Sequence, residues 1–145
     1  MGDLAKDIKS GFPNERIKAL LNIKFTAGWL DQIGNELLKP YNISEQQYNI
    51  LRILRGAGTE ISVKQVKERM IQKSPNSTRL MDKLCEKKLI DRTRCDHDRR
   101  VVYVRINKKG LALLDKINLD DFYHYMDRLT EKEARILNNL LDKLR

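Results

Sequence analysis

The sequence predicts a mainly α-helical chain with one small β-hairpin, and three patterns carry that prediction. Ser44 with Gln47, Ser62 with Gln65 and Thr130 with Glu133 each have the spacing of a capping box, in which a hydroxyl and a side-chain carbonyl satisfy the orphan N–H groups that open a helix. Ile17, Leu21, Phe25, Trp29, Ile33 and Leu37 recur every four residues, the apolar stripe of a long helix. Val102, Val104 and Ile106 alternate with Val101, Tyr103 and Arg105 just beyond a charged tip, the period of a half-buried strand in a hairpin.

Taken in order, residues 1–13 read as a loose arm punctuated by Gly11 and Pro13. The opening MGDLAKDIKS lacks the apolar core of a secretion signal, and no run approaches the roughly 18 apolar residues of a membrane span. With only two cysteines, a reducing cytoplasm is the expected setting. A long helix starts at Asn14 and ends before Pro40. A second runs from Ser44 to Arg55, closed by Gly56 and Gly58. A third runs from Ser62 to Met70, with Val63, Val66 and Met70 inward. Ile43 with Tyr48, and Ile61 with Val66, have the spacing of hydrophobic staples.

The next helix is expected to be capped by Ser74, with Pro75 at its first position. Leu80 and Leu84 share its inner face, and Ser77 lies close to that stripe; Pro75, Thr78, Arg79 and Asp82 point outward. Leu89 and Ile90 lead into a first strand at Asp91–Arg94. The tip Cys95–Arg100 is too polar for a core, and Val101–Ile106 returns. Asn107 caps a further helix carrying Leu111, Leu114 and Ile117, then Phe122, Tyr123, Met126 and Leu129, with a break or bend at Asn118–Asp121. Leu137, Leu140, Leu141 and Leu144 mark the last helix. Helix, short turn and polar-faced helix followed by an arginine-tipped hairpin make a winged helix-turn-helix, whose second helix fits the DNA major groove.

The charge distribution agrees. Net charge is +9, with 41% hydrophobic and 34% charged residues. Residues 61–105 hold 13 basic and 6 acidic residues, whereas the segments before and after are each near neutral. Such a local excess attracts phosphate by counterion release, where a merely solvated surface would spread it. The candidate contacts to double-stranded DNA are Ser74, Pro75, Asn76, Ser77, Thr78, Arg79 and Lys83 on the helix, with Arg94, Asp98, Arg99 and Arg100 on the wing. Arg79 is the natural base reader, by a bidentate pair to guanine. The plainer reading is a solvated face with Arg79, Asp82 and Lys83 as a charge cluster. Lys87, Lys88 and Arg92 suit phosphate or solvent.

Other chemistry finds little support. Asp98 beside two arginines reads as an ion-pair partner before a catalytic carboxylate or ligand. Cys95, Asp96 and His97, with Cys85 upstream, lack a second paired set of zinc ligands, so no metal or cofactor is expected. Cys85 reads as a packing thiol, whereas Cys95 at a charged tip is the candidate for a lowered pKa and oxidation. No nucleophile–base pair, phosphate-binding loop or HExxH motif is present, and no enzyme is expected. His124 sits among Phe122, Tyr123 and Tyr125. With Phe25, Trp29, Tyr41 and Tyr48 these residues line either an effector pocket or a dimer core; Phe25, Trp29 and Tyr48 are the ligand candidates.

The chain is expected to form one domain, with residues 43–106 as a DNA-binding lobe and 14–42 and 107–145 as dimerisation helices. Those terminal helices carry wide apolar faces that the lobe cannot cover, and a two-fold homodimer matches an inverted-repeat operator. A second reading is a winged-helix module binding an acidic protein, or nucleic acid without sequence preference. No amphipathic helix has Lys and Arg lining one polar face beside bulky apolar residues, so no membrane partner is expected.

Read together, these residues resemble the MarR family of bacterial transcription regulators over about residues 14–145. Gln47-Tyr48 with Leu51 and Leu54, Thr78-Arg79-Leu80 with Asp82 and Leu84, and Leu89-Ile90 with Arg92 carry the likeness. So do Asp98-Arg99-Arg100, Val104, Ile106, Gly110 and the closing Leu129-Thr130 with Glu133 and Leu137. The most specific part is the wing Asp98-x-Arg100. The resemblance implies a dimeric regulator of a pseudo-palindromic operator, often repressing genes near its own. It implies that Arg100 approaches the minor groove and that Asp98 orients basic side chains. It also implies release of DNA by a small aromatic or phenolic anion held between the dimerisation helices and the lobe. Asn107 stands where the family usually has threonine, and both residues cap helices. The first long helix has no cysteine, unlike the peroxide-sensing branch.

Overall fold

A computed structural model describes residues 2–145. Its helices are α1 (Leu4–Asp7), α2 (Glu15–Leu38), α3 (Glu45–Ala57), α4 (Val63–Arg69), α5 (Ser77–Glu86), α6 (Lys108–Lys116), α7 (Asp120–Tyr123) and α8 (Glu131–Lys143), with 3-10 turns at Lys39–Tyr41 and Met126–Arg128. Strands β1 (Ile61–Ser62), β2 (Ile90–Arg94) and β3 (Val102–Ile106) form an antiparallel sheet in the order β1-β3-β2. The expected mainly helical fold with a hairpin wing is present. All three capping boxes close as read, at Ser44, Ser62 and Thr130. The Asn14 side chain accepts from the Ile17 N–H at 3.0 Å and starts α2.

Four local expectations change. The N-terminal arm contains one helical turn, capped by Asp3, and its Leu4 is buried. Helix α3 runs through Gly56 to Ala57 and stops at Gly58, where a φ of 66° favours a residue without a Cβ. Ile61 and Ser62 add a third strand, pairing with Val104 and Tyr103. The expected cap at Ser74 is a turn instead: the Ser77 N–H donates to the Ser74 carbonyl at 3.2 Å, and the Asn76 N–H donates to Ser74 Oγ at 3.1 Å. Pro75 presets the second position of that turn, and Asn76 at φ −87°, ψ 8° fits the third, so the helix opens only at Ser77.

The core lies between α3 and the elements folded around it. Ile50, Leu51 and Leu54 of α3 meet Met81 and Leu84 of α5, Val66 of α4, and Ile61, Ile90 and Val104 of the sheet. Leu38 at the end of α2 and Leu114 of α6 belong to the same cluster. The inner stripe of α5 is Ser77, Met81 and Leu84, all fully buried, with Leu80 on its flank. Gly110 seals the junction of α6 with the strand that follows α5. A Cβ there would overlap the Leu89 carbonyl oxygen and lie 2.7 Å from Ile106 Cγ1. At the entry to α3, burial and the nearby Asp31 carboxylate hold the Glu45 carboxyl above its ordinary range.

Two stability predictions follow from this packing. Gly110→Ala forces backbone and Ile106 apart and should cost about 2 kcal/mol or more of unfolding free energy in denaturant titrations. Glu45→Gln removes a charge that the fold disfavours, so it should raise the melting temperature at neutral pH. A carboxyl raised in the folded state costs stability once ionised, so the gain should shrink as pH falls through the folded value and vanish below the unfolded one. An equal gain at every pH would show that ionisation is not its source.

Candidate nucleic-acid interface

The geometry of the site follows from what α5 has to bury. Ser77, Met81 and Leu84 turn inward, which leaves Thr78, Arg79 and Lys83 exposed on the opposite side. Ser77 therefore leaves the surface set: it is 0% exposed, and among the described residues its hydroxyl has no partner. Pro75 and Asn76 are exposed, and Ser74 is half-buried in the turn before the helix.

The wing is set by backbone pairing. Arg94 lies opposite Val102 and Arg92 opposite Val104. Beyond the last pair, the Cys95 N–H donates to the Val101 carbonyl at 3.0 Å and the Val101 N–H to the Asp98 carbonyl at 2.9 Å. The Asp98 carboxylate accepts from the Arg100 N–H at 2.9 Å. This corrects the expected ion pair at Asp98. A short acceptor two residues before a free N–H closes a local turn more readily than it reaches a guanidinium. Asp98 thereby sets the turn that carries Arg99 and Arg100, which are both exposed.

Ion pairing sorts the basic residues. Arg92 lies 2.7 Å from Asp82 and Arg105 3.5 Å from Asp91. Among the described residues no carboxylate pairs with Arg79, Lys83, Arg94, Arg99 or Arg100. The charge-cluster reading of Arg79 loses its carboxylate, because Asp82 is engaged across the gap to β2. Arg92 is exposed while it pairs with Asp82.

Thr78 of α5 and Arg92, Arg100, Val101 and Val102 of the wing border one concavity of about 510 Å³, whose remaining lining is Ser62 of β1 and Val63, Lys64 and Lys67 of α4. Lys64 and Lys67 were not among the candidates from sequence. Their signal is a spacing of three that puts both on one face of a helix whose Val66 is buried.

The ligand candidates separate. Phe25 and Trp29 border a cleft of about 380 Å³ with Leu4, Asn22, Thr26 and Arg128, and Tyr48 is not part of it. Trp29 stacks edge-on against Tyr125 with ring centroids 5.1 Å apart. Tyr48 instead accepts from the Arg52 guanidinium at 3.1 Å. Cys85 is half-buried against the core, and burial pushes its thiol up, as suits a packing role. Cys95 is half-buried at the base of the wing tip. Among the described residues no helix is long and apolar enough to cross a membrane.

Comparison with known proteins agrees with this architecture. The family model described as transcriptional regulator SarA/Rot matches residues 32–117. The HTH-type transcriptional repressor IacR of Pseudomonas putida is 28% identical over 118 residues, spanning 79% of this chain and 70% of its own. A MarR transcription factor from Planctomyces limnophilus superposes with a TM-score of 0.66 at 30% identity, covering 92% of this chain and 97% of its own. A cysteine-to-serine mutant of E. coli MarR, solved with operator DNA, superposes with a TM-score of 0.70 at 26% identity over 99% of both chains. With more than half its length matched by the family model, and with such structural relatives, this chain belongs to the SarA/Rot transcriptional regulators and, with them, to the MarR-type winged-helix, DNA-binding regulators.

Proposed function

We propose that the protein is a homodimeric repressor that binds a pseudo-palindromic operator in the cytoplasm and releases it on binding a small aromatic anion. The observation that carries the DNA contact is the shared concavity of α4, α5 and wing, lined by Lys64, Lys67, Thr78 and Arg100. In this reading Thr78 and Arg79 enter the major groove, and Lys83, Arg94 and Arg99 hold phosphates. Ser74, Pro75 and Asn76 flank the groove, and Arg100, positioned by Asp98, reaches the minor groove.

Dimerisation rests on apolar surface that one chain leaves uncovered. Leu20 is 50% exposed on α2 and Leu140 57% exposed on α8, and no residue of α8 is buried. Large apolar side chains left exposed on two helices suit a protein–protein interface. We assign residues 14–42 and 107–145 to it, with 43–106 as the lobe it carries. The repressor assignment draws on the likeness to IacR, a transcriptional repressor. For the effector, the cleft of Phe25 and Trp29 offers aromatic walls, and its charged lining is Arg128, a counter-charge for an anion, set against the Asp7 carboxylate. Tyr48 would act from beside Arg52, outside that cleft.

In-vitro selection of random duplexes at one fixed, near-physiological salt concentration tests the reading. An inverted repeat with half-sites about one helical turn apart is expected. Recovery of no motif would instead favour the winged-helix module that binds without sequence preference. On the selected duplex, Arg79→Ala should cost about 1–3 kcal/mol and relax the preference at one base pair per half-site. Arg100→Ala should weaken binding, and unchanged affinity would remove the wing from the interface. Leu140→Asp should convert the dimer to monomer in sedimentation while leaving the fold of the lobe intact; an unchanged mass would place the interface elsewhere.

A further inference from the structure

Helix α2 is attached to the lobe at successive helical turns, and one attachment is a side-chain bridge to the loop that precedes α5. Leu38, at the C-terminal end of α2, is buried in the core of the lobe. One helical turn back, the Asn35 carboxamide oxygen accepts from the Glu45 N–H at 3.0 Å, at the start of α3. Gly34 permits this closeness, since a Cβ there would lie 2.6 Å from Glu45 Oε2. A further turn back, Asp31 Oδ1 accepts from Gln72 Nε2 at 2.8 Å, and Gln72 Oε1 accepts from Gln46 Nε2 of α3, also at 2.8 Å. Beside Gln72, the Ile71 N–H donates to the Asn49 carboxamide oxygen at 3.1 Å. Side chains thus tie the loop between α4 and α5 to both α2 and α3. The crevice among them holds about 70 Å³, far below what a small-molecule ligand needs, so its polar lining serves the protein itself.

Leu38 acts as a pivot, because from it the chain runs through the 3-10 turn Lys39–Tyr41 and Asn42, at φ 56°, into α3. A single attachment leaves the angle between α2 and the lobe free, and a second one farther along the helix fixes it. Asp31 lies about 10 Å along the helix from Leu38, so a slip of about 1 Å at the bridge would turn the lobe by about 6°. We propose that Gln72 is a positioning residue: through Asp31 it sets the angle between the dimerisation helix and the lobe, and with it the half-site spacing that the dimer accepts. The inference rests on the dimeric, operator-binding reading above and assigns part of that binding to a residue outside the recognition helix and the wing. In a two-fold dimer the angle acts twice, once in each lobe. The bridge ends on a carboxylate, which strengthens its last hydrogen bond. An exposed hydrogen bond adds little to stability, so its effect falls on which angle is populated and not on whether the lobe folds.

Binding to the selected operator, and to versions with one base pair added to or removed from the spacer between half-sites, tests this role. The unmodified protein should prefer the selected spacing by about tenfold or more, since each base pair both rotates and displaces the second half-site. In Gln72→Glu a carboxylate replaces the donor and faces Asp31, and the preference should fall to about threefold or less. Gln72→Ala, which adds no charge, should lower it likewise, with the melting temperature and the affinity for a duplex carrying one half-site unchanged. Adding Asp31→Asn to Gln72→Glu rebuilds the bridge in the opposite sense, because the new carboxamide can donate to the new carboxylate, and should restore the preference. A merely structural role would lower the melting temperature and leave the ratio between spacers alone. A spacer preference unchanged in both single variants would overturn the proposal. So would an equal loss of affinity for every duplex, the single half-site included, or no recovery with Asp31→Asn. If the unmodified protein selected no paired half-sites, the operator reading itself would fall, and this inference with it.

Discussion

Helix α3 touches nearly every other element of the lobe, and its burial is the constraint on which the others depend. Of its 13 residues Gln47, Ile50, Leu51 and Leu54 are buried, and the exposed ones are Arg52, Arg55 and Gly56. One side takes α5, another the sheet, and the ends meet α2 and α6 through Leu38 and Leu114. Once α3 is fixed, the direction in which α5 faces is no longer adjustable. Any rotation that exposed Met81 or Leu84 would forfeit about 1.5–3 kcal/mol per side chain. The chemistry of the outer face is therefore a by-product of packing on the inner one. Thr78, Arg79 and Lys83 are presented because Ser77, Met81 and Leu84 cannot be.

The wing is held by smaller forces. β1 and β2 flank β3, and the Asp98 side chain closes the tip with one hydrogen bond to backbone. The ion pairs at its base are partly exposed, where such pairs are worth about 1 kcal/mol or less. Their larger effect is on the charge map. Asp82 and Asp91 engage Arg92 and Arg105 near the base, and the tip keeps Arg99 and Arg100 for an outside partner.

Most of this architecture was legible in the sequence because it depends on local rules. A capping box is complete within four residues, and the three boxes fixed three helix starts. The alternation from Val101 to Ile106 needed no partner to be read as a strand. What escaped notice depends on contacts distant in sequence or on competition between two local choices. Ile61 and Ser62 are too short to show a period, and they become a strand only because β3 lies beside them. Met81 is unmarked by leucine spacing, yet it fills the space under α3. Ser74 had two acceptable roles, cap or turn, and Pro75 followed by Asn76 favoured the turn. Asp98 had two kinds of donor within reach, and the nearer one was a backbone N–H. At the site, Lys64 and Lys67 were hidden for another reason: their place opposite the wing is a fact of three dimensions.

Helix α8 bears on how long a molecule of this regulator survives. A helix of 13 residues with nothing buried is marginal in water, however well Thr130 and Glu133 cap it. A segment so weakly held opens locally and is then exposed to proteolysis. Under the proposed pairing, a subunit conceals this weak point only while it has a mate, and an orphan subunit displays it. Surplus or damaged chains would then be cleared first. The balance of synthesis and degradation, and with it the sharpness of any response to the protein's own abundance, would be written into the same leucines that join the two subunits.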